Sequence, residues 1–255
     1  MILTSKNNPL IKETAALKEK KGRREQGAFL VEGVKMVREC QKSGLEIEKI
    51  FLTPAFQENY SSEVFDEEKL VLVSEDVMFR ISDEKTPQGI VARVKIPKKK
   101  LEKPQGKCLL LDGVSDPGNM GTIIRTANAA GYNEVYLTSD CTDPYSPKSV
   151  RASMSGLFFT TLYFGSREEV LSVLSDTPIL VMDMNGENIF EFSPPKKFAL
   201  AIGNEANGIS GATFQASNKT LKIPMRNTQE SLNAAISAGI SMYLLAKDDF
   251  RPNNN

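Results

Sequence analysis

Three short stretches of this 255-residue chain carry residue types that chemistry can use. In LLLDGVSDPGNMGTIIRTANAAG, an apolar run meets a glycine-rich turn and then a helical pattern that holds Asn119 and Arg125. Unpaired N–H groups in the first turn of such a helix can hold an anion or the polar edge of a ligand. An ordinary loop between strand and helix reads the same way, since the spacing is neither GxGxxG nor a phosphate-binding loop. In FALAIGNEANGIS, Gly203 and Glu205 follow an apolar strand, where open sheets bind ligands; a plain Asn-Gly turn with a solvated carboxylate accounts for it equally. In IPMRNTQESLNAAISAG, Ser231 or Glu230 can begin a helix, and capping is the simple role for Ser231. Asn233 is harder to explain that way, because its amide sits among small apolar residues and needs partners if buried.

The chain contains no histidine, which removes the commonest general base and metal ligand. Histidine-dependent hydrolases, zincins and most transition-metal enzymes are thereby excluded, and no metal is expected. The three cysteines, Cys40, Cys108 and Cys141, are far apart, lack metal-ligand spacing and read as small buried apolar residues.

Positioning these stretches requires an α/β scaffold. A helix is expected from Pro9 to about Lys21, stopped by Gly22, followed by three rounds of strand and helix: AFLVE with Gly33 to Gln41, KIFLT with Pro54 to Tyr60, and LVLVS with Glu75 to Ile81. GIVARVKI closes a first domain spanning residues 1–96. A basic linker with two prolines occupies 97–105, and a second α/β domain takes 106–255. There KCLLLDG, NEVYLT, PILVMD, KFALAIG and KTLKIP are apolar strands, which implies a parallel sheet covered on both faces. SLNAAISAGISMYLLA is expected as the last helix.

Taken together, GNMGTIIRTANAAG, AIGNEANGIS and IPMRNTQESLNAA resemble the three ordered motifs of the SpoU/TrmH RNA ribose methyltransferases of the SPOUT superfamily. The resemblance covers residues from about 106 to 247. It implies a SPOUT domain with a C-terminal trefoil knot, S-adenosylmethionine as cofactor, and methylation of a ribose 2′-hydroxyl in RNA, with ribosomal RNA ahead of transfer RNA. Residue by residue, it assigns the catalytic set to Asn119, Arg125, Glu205, Ser231 and Asn233, and the cofactor contacts to Gly203, Ile223, Met225 and Leu232. Asn227, Gln229 and Ala206 depart from the family pattern. Homodimerisation through the C-terminal and first-motif helices is also implied, as is a small N-terminal RNA-binding α/β domain.

In that N-terminal part, Lys6, Lys12, Lys18, Lys20, Lys21, Arg23 and Arg24 concentrate positive charge, though Glu13, Glu19 and Glu25 are interleaved. Lys6, Lys20, Lys21, Arg23 and Arg24 are the RNA-binding candidates, against the alternative of a solvated helix face. With Lys plus Arg and Asp plus Glu both at 32, any basic surface is local. The opening MILTSKNNPLIKE lacks the apolar core of a signal peptide and no segment has the length of a membrane helix, so a cytoplasmic protein is expected. For the chemistry, Arg125 is expected to clamp the RNA phosphate and ribose rather than act as base, because a guanidinium has a pKa above about 12 and only donates hydrogen bonds. The hydroxyl proton would pass to that phosphate, or to Glu205 through water. The competing readings are an RNA-binding protein that keeps the fold without catalysis, and a nucleotide-dependent α/β enzyme supported only by the glycine-rich turn.

Overall fold

The computed structural model describes residues 2–60, 65–226 and 231–251. They form two compact units: Met1–Lys98 with Asp143–Phe158, and Lys99–Thr142 with Phe159–Asn255.

The first unit begins with α1 (Pro9–Ala16) and α2 (Lys20–Gln26). The expected single helix is therefore two, and Gly22 lies inside the second rather than ending the first. A side chain at Gly22 would stand 2.1 Å from the Ala16 carbonyl oxygen, so the glycine lets α2 fold back onto α1. The stop falls at Gly27, whose φ of 62° gives the left-handed cap that glycine adopts without strain. Four strands follow: β1 (Ala28–Glu32), β2 (Ile47–Leu52), β3 (Leu70–Leu72) and β4 (Ile90–Lys95). They are separated by α3 (Val34–Lys42), α4 (Pro54–Asn59) and α5 (Glu75–Ile81). The sheet order is β1-β4-β2-β3, antiparallel except for the β2–β3 pair. Its core joins Ile11 and Leu17 of the first helical segment to Leu30, Phe51, Val77 and Met78.

The segment Asp143–Phe158, which sequence reading assigned to the second domain, clusters with this first unit. It contains α7 (Pro147–Ser153), whereas the preceding helix, α6 (Pro117–Ala129), belongs to the second unit. The Tyr145 ring lies 4.9 Å from Phe29, and Asp143 takes the Arg23 guanidinium at 2.7 Å. Arg151 pairs with Asp83 and Glu84.

The second unit is a six-stranded sheet in the order β10-β8-β9-β5-β6-β7, with every neighbouring pair parallel. Its strands are β5 (Cys108–Asp112), β6 (Glu134–Thr138), β7 (Thr161–Gly165), β8 (Ile179–Asn188), β9 (Ala199–Gly203) and β10 (Lys219–Lys222). β7 was not anticipated; it is an edge strand with an exposed Phe164. The helices of this unit are α6, α8 (Arg167–Val173), α9 (Gly211–Gln215) and α10 (Ala234–Leu245). All five residues of β5 are buried, as a strand covered on both faces requires. Cys108 and Leu110 join a cluster with Val170 and Leu174, while Leu109 and Leu111 are buried on the opposite face. From β5 the chain builds outward through β6 and β7, then crosses to the other side and places β9 beside β5. The strand order therefore switches between β5 and β9, where open parallel sheets present ligand sites.

Candidate active site

The first motif starts at the end of β5. Asp116 caps α6 by accepting a hydrogen bond from the Asn119 amide at 2.8 Å, and Pro117 fills the first helical position, where a missing N–H costs nothing. This combination sets Asn119 in the first turn, with its side chain turned toward the loop after β9.

That loop is a tight turn. Asn204 and Gly208 exchange backbone hydrogen bonds at 2.9 Å each, and the Asn204 side chain accepts from the amides of Ala206 and Asn207 while donating to the Gly113 carbonyl. A side chain at Gly203 would stand 2.3 Å from the Gly208 backbone, so glycine permits the strand end to approach its own turn. The turn presents Glu205 to the first motif. Its Oε2 accepts from the Ser115 amide and hydroxyl at 3.0 and 2.7 Å, and its Oε1 from the Asp116 amide and Asn119 Nδ2 at 3.1 and 2.9 Å. Partial burial raises the pKa of this carboxyl, but the donors from Asn119 and Ser115 outweigh it and hold the group at about 2.

The third motif completes the arrangement from α10. The helix begins at Ala234, capped not by Ser231 but by Asn233, whose Oδ1 accepts from the amides of Ala235 and Ile236. Its Nδ2 then donates to Asn119 Oδ1 at 3.0 Å. The result is a continuous run of hydrogen bonds from Asn233 through Asn119 to Glu205, joining all three motifs. α10 packs on α6 and β9, and its Gly239 brings α6 close enough that an added methyl group would lie 3.6 Å from Thr126 Cγ2.

Beside this run lies a cleft of about 430 Å³, within the range of small-molecule sites. Its walls come from the ends of β8 and β9, the turn at 203–209 and the segment after β10. Gly203, Ile223, Met225 and Leu232, the four cofactor candidates, all line it, together with Glu205 and Ser231. Asn119 and Asn233 stand at the hydrogen-bonded run rather than in the lining. Arg125 is exposed on α6 and is not among the residues lining the cleft. Asn227 and Gln229 lie outside the described residues.

Sequence reading missed Ser115, which supplies two of the four donors to Glu205. It also missed a buried brace below the site. Asp112, 2% exposed, accepts from Arg167 Nε at 2.7 Å and from the Ser210 amide at 2.8 Å. Arg167 also reaches Asp140 at 2.7 Å. No local pattern marks Asp112 or Arg167, since the bond that joins them spans 55 positions.

The basic candidates of the first unit divide. Arg23 is 4% exposed, held by Asp143 and by the carbonyls of Leu17 and Lys18; its guanidinium is a strut of the fold and is corrected from the RNA-binding set. Lys20 and Arg24 are exposed. Lys6 pairs with Asp76 at 3.0 Å and Lys21 with Glu25 at 3.8 Å, both at the surface. Among the described residues, no group of acidic or cysteine side chains is arranged to hold a metal ion, and no helix is long and apolar enough to cross a membrane.

A parallel sheet whose switch point gathers three polar loops around a cleft defines a nucleotide-type ligand site in an α/β protein. Comparison with known proteins narrows this: residues 106–243 match the SpoU rRNA Methylase family and residues 8–92 match the MRM3-like substrate binding domain. The chain belongs to the SpoU rRNA methylase family. It is 31% identical over 95% of its length to the 23S rRNA (guanosine(2553)-2′-O)-methyltransferase RlmP of Bacillus subtilis, of which it covers 98%. The AdoMet-bound rRNA methyltransferase of Sinorhizobium meliloti superposes with a TM-score of 0.87 at 28% identity, over 99% of both chains. The SpoU methyltransferase AviRb of Streptomyces viridochromogenes, in complex with AdoMet, gives 0.85 at 26% identity over 97% of this chain and all of that one.

Proposed function

We propose that this protein methylates a ribose 2′-hydroxyl of ribosomal RNA, with S-adenosylmethionine bound in the cleft at the switch point. The observation that carries the reading is the hydrogen-bonded run Asn233–Asn119–Glu205 beside that cleft, because it binds three distant motifs into one preorganised site. Family membership and the relatives' named activities support it.

The cleft residues fit the cofactor. Ile223, Met225 and Leu232 offer apolar surface for an adenine ring, and the turn at Gly203 keeps backbone within reach where a side chain would intrude. When bound, S-adenosylmethionine supplies an electrophilic methyl group. The protein's own residues then have to align the ribose oxygen and relieve its proton, and alignment alone contributes several kcal/mol. Arg125, an exposed cation on the helix that carries Asn119, is assigned to the RNA phosphate and ribose, where it stabilises the developing alkoxide. The proton goes to the phosphate oxygen beside the hydroxyl. Glu205 is a poor acceptor for it, since both its oxygens are engaged by four donors; it acts as the anchor of the first-motif loop. Asn119 and Asn233 orient the loops around the ribose, and Ser231 fixes the third-motif segment.

Residues 1–96 serve as the substrate-binding domain, 97–105 as linker and 106–255 as the catalytic domain. A trefoil knot is supported by the path of the chain, which reaches the sheet edge at β10 and then returns to lay α10 against β9 and α6. A homodimer is supported by α10, which leaves Ile236 and Tyr243 about half exposed on an otherwise apolar helix. A cytoplasmic location is supported by the bacterial rRNA methyltransferases among the relatives. Labelled-methyl transfer to rRNA from a strain lacking the gene tests the activity; methylation of a 2′-hydroxyl is expected, and purified protein that neither binds the cofactor nor labels the RNA overturns the reading. Sedimentation at micromolar concentration is expected to show a dimer that Ile236→Glu converts to monomer.

A further inference from the structure

We propose that Asp183 recognises the ribose diol of the cofactor and makes the cleft selective for a ribonucleoside; this rests on the cofactor reading above. Asp183 lines the cleft from β8, at a place where the strand is irregular. The β8–β10 ladder jumps from Val181 to Glu187, and pairing with β9 ends at Val181↔Ala201, so residues 182–186 belong to neither ladder. Bulges of this kind beside sites re-aim a side chain. Gly186 makes the bulge possible, since a side chain there would lie 2.5 Å from the Leu221 backbone.

The carboxylate is half-buried and only partly used. Its Oδ1 accepts from the Asn185 amide at 2.9 Å, while Oδ2 has no hydrogen-bond donor among the described residues. Glu205, the other carboxylate of the lining, has both oxygens engaged. No ion pair joins Asp183 to Lys222, the cation of the same lining, among the described residues. The cleft therefore holds one carboxylate oxygen with acceptor capacity to spare.

Its position selects the donor. Asp183 and Gly203 each stand two residues beyond the last β8–β9 pair, so the carboxylate ends the strand next to the glycine turn. In dinucleotide-binding parallel sheets, a carboxylate that follows the glycine-rich turn in sequence accepts a hydrogen bond from an adenosine ribose; Asp183 offers the same group from the strand beside its turn. A diol presents two O–H donors to such a group.

Calorimetry with 5′-methylthioadenosine, its 2′,3′-dideoxy counterpart and S-adenosylhomocysteine tests this on wild type, Asp183→Asn and Asp183→Ala. Asp183→Asn keeps an Oδ1 for the Asn185 amide, so its melting temperature controls for the turn. Wild type is expected to lose about tenfold in affinity when the hydroxyls are removed, the scale of one hydrogen bond to a charged group. Asp183→Ala should bind both nucleosides alike, and both variants should bind S-adenosylhomocysteine about tenfold more weakly than wild type. The proposal is overturned if Asp183→Ala keeps the hydroxyl preference. It is equally overturned if the loss appears for S-adenosylhomocysteine but not 5′-methylthioadenosine, which would place the carboxylate at the amino-acid end. Wild-type protein that binds none of the three brings down the cofactor reading itself.

Discussion

Arg125 and Glu205 divide the electrostatic work of the site. Arg125 is exposed and available to an anion, so Arg125→Ala should cut turnover by about 10²–10³-fold while S-adenosylhomocysteine affinity stays near wild type. Arg125→Lys should retain below about a tenth of the rate, because an ammonium cannot reproduce the planar fork; a lysine variant with most of the rate would remove the clamp from the mechanism. Glu205 is spent on its four donors. Its folded pKa of about 2 lies below the ordinary value of 4.5, so its contribution to stability is complete above about pH 4.5 and is lost as pH falls toward 2. Glu205→Gln should flatten acid unfolding in that window, read by circular dichroism, and leave the pH dependence of kcat/KM between 5 and 9 unmoved. Disappearance of a limb near neutrality would make Glu205 the base after all. Asn119, Glu205 and Asn233 were legible as members of three motifs, whereas Ser115 and Asp183 were not. A serine or aspartate in a loop has no signature until the fold supplies its partner.

At the scale of elements, α10 shows a side chain with two separable duties. Asn233 caps the helix through Oδ1 and holds Asn119 through Nδ2. Asn233→Ala should cost about 1 kcal/mol in urea unfolding from the lost cap, and activity as well. Asn233→Asp keeps the cap but cannot donate to Asn119, so stability should stay within about 0.5 kcal/mol while turnover falls. An Asn233→Asp variant that keeps wild-type turnover would mean that Asn233 serves the helix alone. Strands β5, β6, β9 and the start of β8 were readable because burial leaves an unbroken apolar run; β10, an edge strand that buries Leu221, was readable without one. β7 at the edge was not, and the break between α1 and α2 was hidden because Gly22 serves a close backbone approach rather than a helix end.

At the scale of the molecule, charge has to be sorted by burial before it can be assigned to RNA. Arg23 and Arg24 are neighbours in sequence with opposite fates, one enclosed with Asp143 and one in solvent. Arg23→Ala should destabilise the protein by about 3–5 kcal/mol, as removal of one partner from a buried ion pair does. Lys20→Ala and Arg24→Ala should leave unfolding unchanged, weaken rRNA binding and shallow its dependence on salt. A normal salt slope in both would move the RNA surface elsewhere. Sequence could not separate these arginines because the carboxylate that claims Arg23 lies 120 positions further on.

Asn119 meets one partner 86 positions downstream and another 114 downstream. During synthesis, then, the residues of the first motif emerge long before either neighbour that will orient them, and nothing resembling the finished site exists until the last helix has been made and docked. A nascent chain or a product cut short before residue 233 is mute, so the ribosome's own RNA meets a competent enzyme only from completed copies.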